Sequence, residues 1–162
     1  MALNSLSIIT TAPEETRGVG EDLARYLLPS LVLALIGGLG SGKTTLIQGI
    51  ARGLEVSSPV KSPSFMLIRE YAGRVPLFHF DLYRITRDEE ILNLGYEEYC
   101  YQKGGVVVIE WADRIQKYLP SEHLGINMSI LGTSRRKIAF LPKGPLYREI
   151  VDKMRRRLKR EM

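Results

Sequence analysis

The chain has 162 residues and a formal net charge of +5; 44% of its residues are hydrophobic and 25% are charged. This composition excludes an intrinsically disordered protein, and the longest aliphatic run, residues 31–36, is too short to cross a membrane. The single cysteine, Cys100, excludes an intramolecular disulfide and fits a reducing cytoplasm. We expect a cytoplasmic protein without a secretory signal or membrane segment.

The positive charge is confined to the end of the chain. Residues 143–162 contain eight Lys or Arg and three Asp or Glu, whereas residues 1–142 contain 15 of each class. The excess therefore indicates a basic C-terminal segment and not a basic domain. Such a segment is typical of a solvated helix face, or of a helix that approaches nucleic-acid phosphates or an acidic partner.

The first half of the chain alternates between strand and helix signals. The segment from Thr11 to Glu14 has the pattern of a capping box, with Pro13 at the start of a helix that we expect to run to about Leu28. Around this helix the pattern predicts an opening strand at residues 5–10, a buried strand at 31–36 and a helix that ends near residue 54.

The second half of the chain has shorter elements. Two prolines predict an irregular loop at residues 57–64. Residues 65–71 and 75–80 have the spacing of an antiparallel hairpin. The other predicted elements are short helices over 86–101 broken at Gly95, a buried strand at 106–109, a helix at 111–118, and strands at 126–131 and 137–141.

A basic amphipathic helix is predicted over about residues 145–161, because Leu146, Ile150, Met154 and Leu158 recur every four positions. Taken in order, the elements predict one α/β domain that spans residues 1–162. We expect a P-loop NTPase-like, three-layer arrangement with a mostly parallel central sheet and antiparallel additions.

The most specific motif is Gly-x-x-x-x-Gly-Lys-Thr at residues 37–44, which follows the predicted buried strand and precedes a helix. Glycines let successive backbone N–H groups face phosphates, and the helix N-terminus adds a positive dipole. Lys43 can then reach the β- and γ-phosphates, and the Thr44 hydroxyl can hold Mg²⁺. The alternative is a glycine-rich turn with an incidental Lys-Thr pair, but the flanking strand and helix favour a nucleoside triphosphate site.

Two carboxylates follow predicted strands, where a P-loop site needs an acidic residue for Mg²⁺ or its waters. Glu110 ends the strand at 106–109 and Asp81 ends the strand at 75–80, although either could instead cap a helix or be a surface charge. Trp111 is expected near the nucleotide or in the core. His79 is expected to be a structural histidine rather than a general base.

Two loops hold further candidate residues. Lys61, Ser62 and Ser64 lie in the two-proline loop, which could act as a switch over the γ-phosphate. Arg135 lies between the last two predicted strands and is either a nucleotide contact or an exposed surface residue.

These motifs resemble the TsaE (YjeE) family, which are bacterial ATPases required for the threonylcarbamoyladenosine modification of tRNA. The resemblance extends from about Pro13 to Arg135. It departs from the family pattern at Gly38, Ser64 and Ala112, where the family often has Asp, Thr and Pro. The strings that carry it are Gly37–Thr44, Val60-Lys61-Ser62-Pro63-Ser64-Phe65, His79-Phe80-Asp81-Leu82-Tyr83-Arg84 and Ile109-Glu110-Trp111.

The resemblance implies an ATP- and Mg²⁺-dependent ATPase that acts as an accessory subunit with a TsaB–TsaD complex and meets tRNA indirectly, through that complex. It implies that Thr44 and Glu110 are magnesium ligands and that Asp81 belongs to the hydrolytic site. The expected catalytic residues are Lys43, Asp81 and Glu110. The expected nucleotide-binding residues are Pro13, Gly37, Gly40, Ser41, Gly42, Lys43, Thr44, Thr45 and Arg135.

Three other functions share some of these features. A small-molecule or nucleoside kinase has the same loop and size, but it needs an acceptor pocket and usually an Arg-bearing lid, for which the sequence has no clear signal. A GTP-dependent switch carries Asn-Lys-x-Asp after a strand, and this sequence does not contain that string. A tRNA-binding protein driven by the basic C-terminal segment is the weakest alternative.

Overall fold

A computed structural model describes residues 4–61 and 67–161. The elements, in chain order, are β1 (Leu6–Thr10), α1 (Pro13–Ala24), β2 (Val32–Ile36), α2 (Lys43–Gly53), β3 (Ile68–Tyr71), β4 (Leu77–Asp81), a 3₁₀ helix (Asp88–Leu94), α3 (Tyr96–Tyr101), β5 (Val106–Glu110), a second 3₁₀ helix (Ala112–Tyr118), β6 (His123–Ile130), β7 (Arg136–Lys143) and α4 (Pro145–Glu161). Within this part of the chain, no helix combines the length and the apolar character needed to span a membrane.

Seven strands form one mixed sheet in the order β1-β7-β6-β2-β5-β4-β3. The four central strands β6, β2, β5 and β4 are parallel, and the pairings β1–β7, β7–β6 and β3–β4 are antiparallel. The described sheet therefore has the expected parallel centre with antiparallel additions. The β3–β4 and β6–β7 pairs are antiparallel because short turns join them, and a short turn can connect only antiparallel neighbours. The predicted hairpin is confirmed for residues 68–81, and residues 65 and 66 lie outside the described part.

Helices cover both faces of the sheet, because the central strands bury side chains on both sides. On one face, Leu33 of β2 belongs to a core cluster that includes Ile50 of α2 and residues of α1 and α4. On the other face, Phe80 of β4 and Ile109 of β5 form a second cluster with Tyr96 of α3 and the 3₁₀ helices. The result is an α/β fold with a single sheet between two helical layers.

The start and the end of α1 both differ from the prediction. Ala12 occupies the N-cap position and cannot cap with its side chain, so the Thr11 backbone N–H and hydroxyl donate to Glu15 (2.7 and 3.0 Å) in place of the predicted Glu14. The helix ends at Ala24, before the predicted Leu28. There the Arg74 guanidinium donates to the Ala24 carbonyl at 2.5 Å, which is a long-range contact that a local pattern does not contain.

Helix α4 also docks differently from the prediction. Its buried side chains are Tyr147, Ile150, Val151 and Met154, whereas Leu146 is 38% exposed and Leu158 is only half-buried. The expected stripe with a strict four-residue spacing is therefore wrong at its two ends. A helix has 3.6 residues per turn, so a buried face combines i+3 and i+4 steps: Tyr147 is followed by Ile150 and Val151, three and four residues later.

The basic end of α4 is partly tied to the rest of the fold. The Arg155 guanidinium donates to the Ser5 carbonyl (2.7 Å) and to Asp152, and the Arg157 guanidinium pairs with Asp22 of α1 at 3.2 Å. Arg156, Lys159 and Arg160 remain exposed. Arg155 and Arg157 therefore do not belong to a wholly solvated helix face, because they bind Ser5, which precedes β1, and Asp22 of α1.

Candidate nucleotide-binding site

The glycine-rich loop lies between the carboxyl end of β2 and the first residue of α2. Gly40 and Gly42 have φ angles of +79° and +99°, a region that other residues rarely adopt. A side chain at Gly37 would collide with Ser41 Oγ and the Met128 carbonyl. The residue before α2, Gly42, offers no side-chain cap, so the first N–H groups of this helix are left to an external acceptor.

Lys43 is bound to the loop that precedes it. Its Nζ donates to the carbonyls of Gly37 (2.6 Å) and Gly38 (3.0 Å), and lies 4.1 Å from the centroid of the Trp111 ring. Burial lowers the pKa of Lys43, and the carboxylates of Glu110, Asp81 and Asp113 oppose that effect. The ammonium group is thus held at the cavity wall, where an anion could replace the two carbonyls.

Thr44, Glu110 and His79 form a chain of polar contacts from α2 into the sheet. The Thr44 hydroxyl donates to Glu110 Oε1 at 3.3 Å, and His79 Nε2 lies 2.6 Å from Glu110 Oε2. Glu110 is 3% exposed and His79 is fully buried. A carboxylate buried to this extent needs hydrogen-bond donors, and here one oxygen meets the histidine while the other faces the threonine.

This pair of oxygen atoms can serve Mg²⁺. The ion normally takes one or two protein oxygens and completes its octahedron with waters and substrate phosphates. The Thr44 hydroxyl and the Glu110 carboxylate supply such a set beside the phosphate-binding loop, and both residues line the cavity. Among the described residues, no group of three or more His, Cys, Asp or Glu side chains could hold a metal ion. A magnesium ion at Thr44 and Glu110 would therefore need further oxygens from waters and phosphates. The donor set therefore fits a magnesium ion shared with bound phosphates.

Asp81 and two aromatic residues lie near the Thr44 hydroxyl and the Glu110 carboxylate. Asp81 is paired with Glu110 across β4 and β5, and its Oδ1 accepts the Tyr83 N–H at 3.0 Å. The Tyr83 and Trp111 rings lie 5.2 Å apart, and the Arg114 guanidinium lies over both. Trp111 has a φ of +60°, an uncommon conformation for a bulky residue, which turns the chain immediately after Glu110.

The loop, the carboxylates and the aromatic residues open into a cavity of about 710 Å³. Its walls include residues 40–45, Asp81, Glu110 and Trp111, and also Pro13 and Thr16 of α1. Ligand pockets of this size are typical of nucleotide-sized molecules. Pro13 and the glycine-rich loop, which are separate candidates in the sequence, therefore line the same cavity.

Arg135 and Lys61 do not line this cavity, and part of the two-proline loop lies outside the described residues. Arg135 is not part of the cavity wall; its neighbour Arg136 is, with its guanidinium held by the Gly132 carbonyl at 2.9 Å. The sequence could not choose between the two arginines, because that depends on where the β6–β7 turn ends. Lys61 does not line this cavity, and Ser62 and Ser64 fall outside the described residues.

The sequence patterns did not predict the contact between His79 and Glu110. The signal was present: both residues lie on strands that are buried on both faces, and once β4 and β5 are paired in register the two side chains lie on the same face. The contact of Lys43 with Trp111 was also missed, because it depends on the left-handed turn at Trp111.

The chain is similar to known proteins over most of its length. Residues 10–138 match the family model described as "Threonylcarbamoyl adenosine biosynthesis protein TsaE". A relative from Bacillus subtilis named tRNA threonylcarbamoyladenosine biosynthesis protein TsaE is 39% identical, with 91% of this chain and 92% of the relative covered. A protein of the same name from Nostoc sp. is 38% identical, with 88% and 90% covered.

A solved structure is similar throughout the chain. The crystal structure of Bacillus subtilis YdiB superimposes with a TM-score of 0.80 at 35% identity, and the match covers 94% of this chain and 95% of that one. The family model spans more than half of the chain and includes the glycine-rich loop, both strand-end carboxylates and the Trp111 turn. The chain therefore belongs to the TsaE family of threonylcarbamoyl adenosine biosynthesis proteins.

Proposed function

We propose that this chain is a P-loop ATPase that binds ATP with Mg²⁺, hydrolyses it to ADP and phosphate, and acts as an accessory subunit in tRNA threonylcarbamoyladenosine biosynthesis. The observation that carries the proposal is the convergence of Lys43, Thr44 and Glu110 on the wall of one cavity, beside a helix start that has no side-chain cap. Membership in the TsaE family supports the pathway, and the P-loop NTPase-like arrangement of the sheet supports the chemistry.

The phosphate end of the nucleotide is assigned to residues 40–45. The N–H groups at the start of α2 face the phosphates, and Lys43 exchanges its bonds to the Gly37 and Gly38 carbonyls for phosphate oxygens. Thr44 and Glu110 would hold Mg²⁺, and the ion would supply positive charge that offsets part of the phosphate charge. Pro13, Thr16 and Arg136 line the same cavity outside the glycine-rich loop and are assigned to the nucleoside.

Asp81 is assigned to the attacking water. It ends the strand next to Glu110, and it lines the cavity on the same side as Lys43 and Trp111. A carboxylate in this place can orient the water and accept its proton as the γ-phosphate bond breaks. Its hydrogen bond to the Tyr83 N–H fixes the position of one oxygen.

The proposed partners follow from the family. We propose that the chain works with a TsaB–TsaD complex in the cytoplasm and that it meets tRNA through that complex. The described charges support an indirect contact, since two of the arginines at the basic end of α4 bind the chain's own Ser5, Asp152 and Asp22. We also propose that residues 1–162 form one domain, because all seven described strands join one sheet.

The test of this proposal is nucleotide binding and turnover in matched lysine variants. Lys43→Ala is expected to weaken ATP binding and to lower hydrolysis at least about tenfold, because it removes the phosphate-bridging charge. Lys103→Ala is the control, since Lys103 lies over the Tyr99 ring and away from the cavity. ATP labelled on the γ-phosphate should yield inorganic phosphate; label on an added acceptor would indicate a kinase. Normal turnover by Lys43→Ala contradicts the proposal.

The coupling to partners has its own measurement. ATP hydrolysis is measured for the chain alone, with TsaB–TsaD, and with TsaB–TsaD and tRNA. The accessory role predicts a rate that rises when the complex is present. A rate that does not respond to the complex or to tRNA would leave an ATPase without the proposed role.

A further inference from the structure

The strand pair β4–β5 brings a buried histidine against the carboxylate that faces Thr44. His79 is opposite Val108 in the register, so Glu110, two residues further along β5, is its diagonal neighbour on the same face. His79 Nε2 lies 2.6 Å from Glu110 Oε2, while Glu110 Oε1 accepts the Thr44 hydroxyl. One oxygen of the Glu110 carboxylate thus contacts a histidine within the sheet, and the other contacts Thr44 at the cavity wall.

His79 contacts the Glu110 carboxylate without lining the cavity. His79 is fully buried and is not part of the cavity wall, so it cannot reach a nucleotide or its attacking water. A carboxylate oxygen is an acceptor, so the Nε2 atom carries the hydrogen of this contact. The other ring nitrogen, Nδ1, has no hydrogen-bond partner among the described residues. The contact to Glu110 is therefore the one polar interaction that these residues offer the ring.

The backbone around His79 is held rigidly. The two neighbouring residues point to the opposite face, where Phe78 packs edge-on against Tyr99 (4.9 Å) and Phe80 against Tyr96 (5.9 Å). An imidazole has few side-chain torsions to lose, so a ring fixed in this way makes a stiff hydrogen-bond donor. A glutamate has three such torsions, and without this donor its carboxylate could turn away from Thr44.

We propose that His79 is a positioning residue, which orients the Glu110 carboxylate so that its second oxygen serves the magnesium ion of bound ATP. This inference rests on the proposed function, because it assigns a support to the same site. Partners of this kind fix the orientation of metal ligands in proteins, and their loss typically lowers metal affinity about 10- to 100-fold.

The experiment compares substitutions that differ in reach. His79→Gln keeps an N–H at about the distance of Nε2, whereas His79→Asn places its amide too close to the backbone to reach Glu110. ATP binding is measured in EDTA and in a magnesium series. We expect His79→Asn to raise the half-saturating Mg²⁺ concentration about 10- to 100-fold and His79→Gln to stay within about threefold of the unmodified protein. ATP affinity in EDTA should change by less than about twofold.

Two controls separate this role from a packing role. His123→Asn removes the other histidine of the chain, whose Nδ1 lies 2.8 Å from the Pro120 carbonyl and which does not line the cavity. It should leave the magnesium dependence unchanged. In a Glu110→Gln background, adding His79→Asn should raise the Mg²⁺ requirement by less than about twofold, because both changes remove one interaction. His79→Leu replaces His79→Asn if the latter does not fold, as judged by its thermal transition.

Several results would overturn the inference. These are a magnesium shift in His79→Asn no larger than in His123→Asn, an equal loss of ATP affinity in EDTA, or full additivity with Glu110→Gln. The failure of the proposed function looks different. In that case the unmodified protein would bind no ATP, or Lys43→Ala would bind it normally. If magnesium-dependent binding is present and depends on Lys43, while the His79 variants behave like His123→Asn, only the role of His79 is wrong.

Discussion

The Tyr147 hydroxyl makes a hydrogen bond that joins the last helix to the strand leading into the glycine-rich loop. It accepts the backbone N–H of Val32, the first residue of β2, at 2.8 Å. Both residues are buried, and burial raises the pKa of Tyr147, so the phenol is neutral near pH 7. Tyr147→Phe removes this acceptor and keeps the ring in place.

The expected loss follows from the geometry. No cavity forms, because phenylalanine fills the same volume apart from the oxygen. The Val32 N–H is left buried without its partner, which typically costs about 1–3 kcal/mol. For a chain of this length, 1 kcal/mol corresponds to about 2–4 °C in Tm, so Tyr147→Phe should lower the melting temperature by about 2–12 °C.

The assay is thermal and urea unfolding of Tyr147→Phe beside Tyr101→Phe. Tyr101 is 64% exposed, so its substitution should change the unfolding free energy by less than about 0.5 kcal/mol. Both variants lose one phenolic oxygen, and only one loses a buried hydrogen bond. If Tyr147→Phe unfolds at the same temperature and urea concentration as Tyr101→Phe, the reasoning is refuted.

Three further predictions follow from the described contacts. Gly49→Ala should destabilise the fold by about 1–3 kcal/mol in urea unfolding, because the new methyl group overlaps the Arg17 carbonyl; Gly18→Ala has open space and should be neutral or stabilising. Asp81→Asn keeps an acceptor for the Tyr83 N–H, so it should retain ATP affinity within about twofold yet lower hydrolysis about 100-fold or more; a larger effect on binding than on rate would mean that the role is misassigned. Burial raises the pKa of the Cys100 thiol from 9.0 to about 11, so the folded state keeps a proton that the unfolded state loses in that window. The unfolding free energy should therefore fall from pH 9 to pH 11 by about 2–3 kcal/mol more in the unmodified protein than in Cys100→Ala, and parallel pH profiles would contradict this.

Local patterns were sufficient where a local interaction decides the structure. The glycine spacing at residues 37–44 predicts the loop between β2 and α2, because only glycine adopts the backbone angles of Gly40 and Gly42 without strain. The aliphatic run at Val106–Glu110 is buried on both faces, as its composition indicates. The acidic residues after β4 and β5 lie side by side, because parallel strands end at the same edge.

Local patterns did not predict the features that depend on contacts with distant parts of the chain. The end of α1 depends on Arg74, and the buried face of α4 depends on β2, which offers its first N–H to Tyr147. The choice of Arg136 over Arg135 depends on the last residue of a turn. His79 acquires its partner only when β4 and β5 pair in one register, since a shift by one residue would turn it to the opposite face.

The pairing of β1 with β7 has a consequence for the order in which the chain folds during synthesis. Leu6 lies opposite Phe140, so β1 leaves the ribosome long before β7, which is its partner in the described sheet. Contacts between residues this far apart form late, because a long loop must close first. The cavity shares this delay, since Pro13 and Thr16 of its wall emerge early and Thr133 and Arg136 emerge near the end. A nascent chain therefore carries its glycine-rich loop long before it has the complete wall of the cavity.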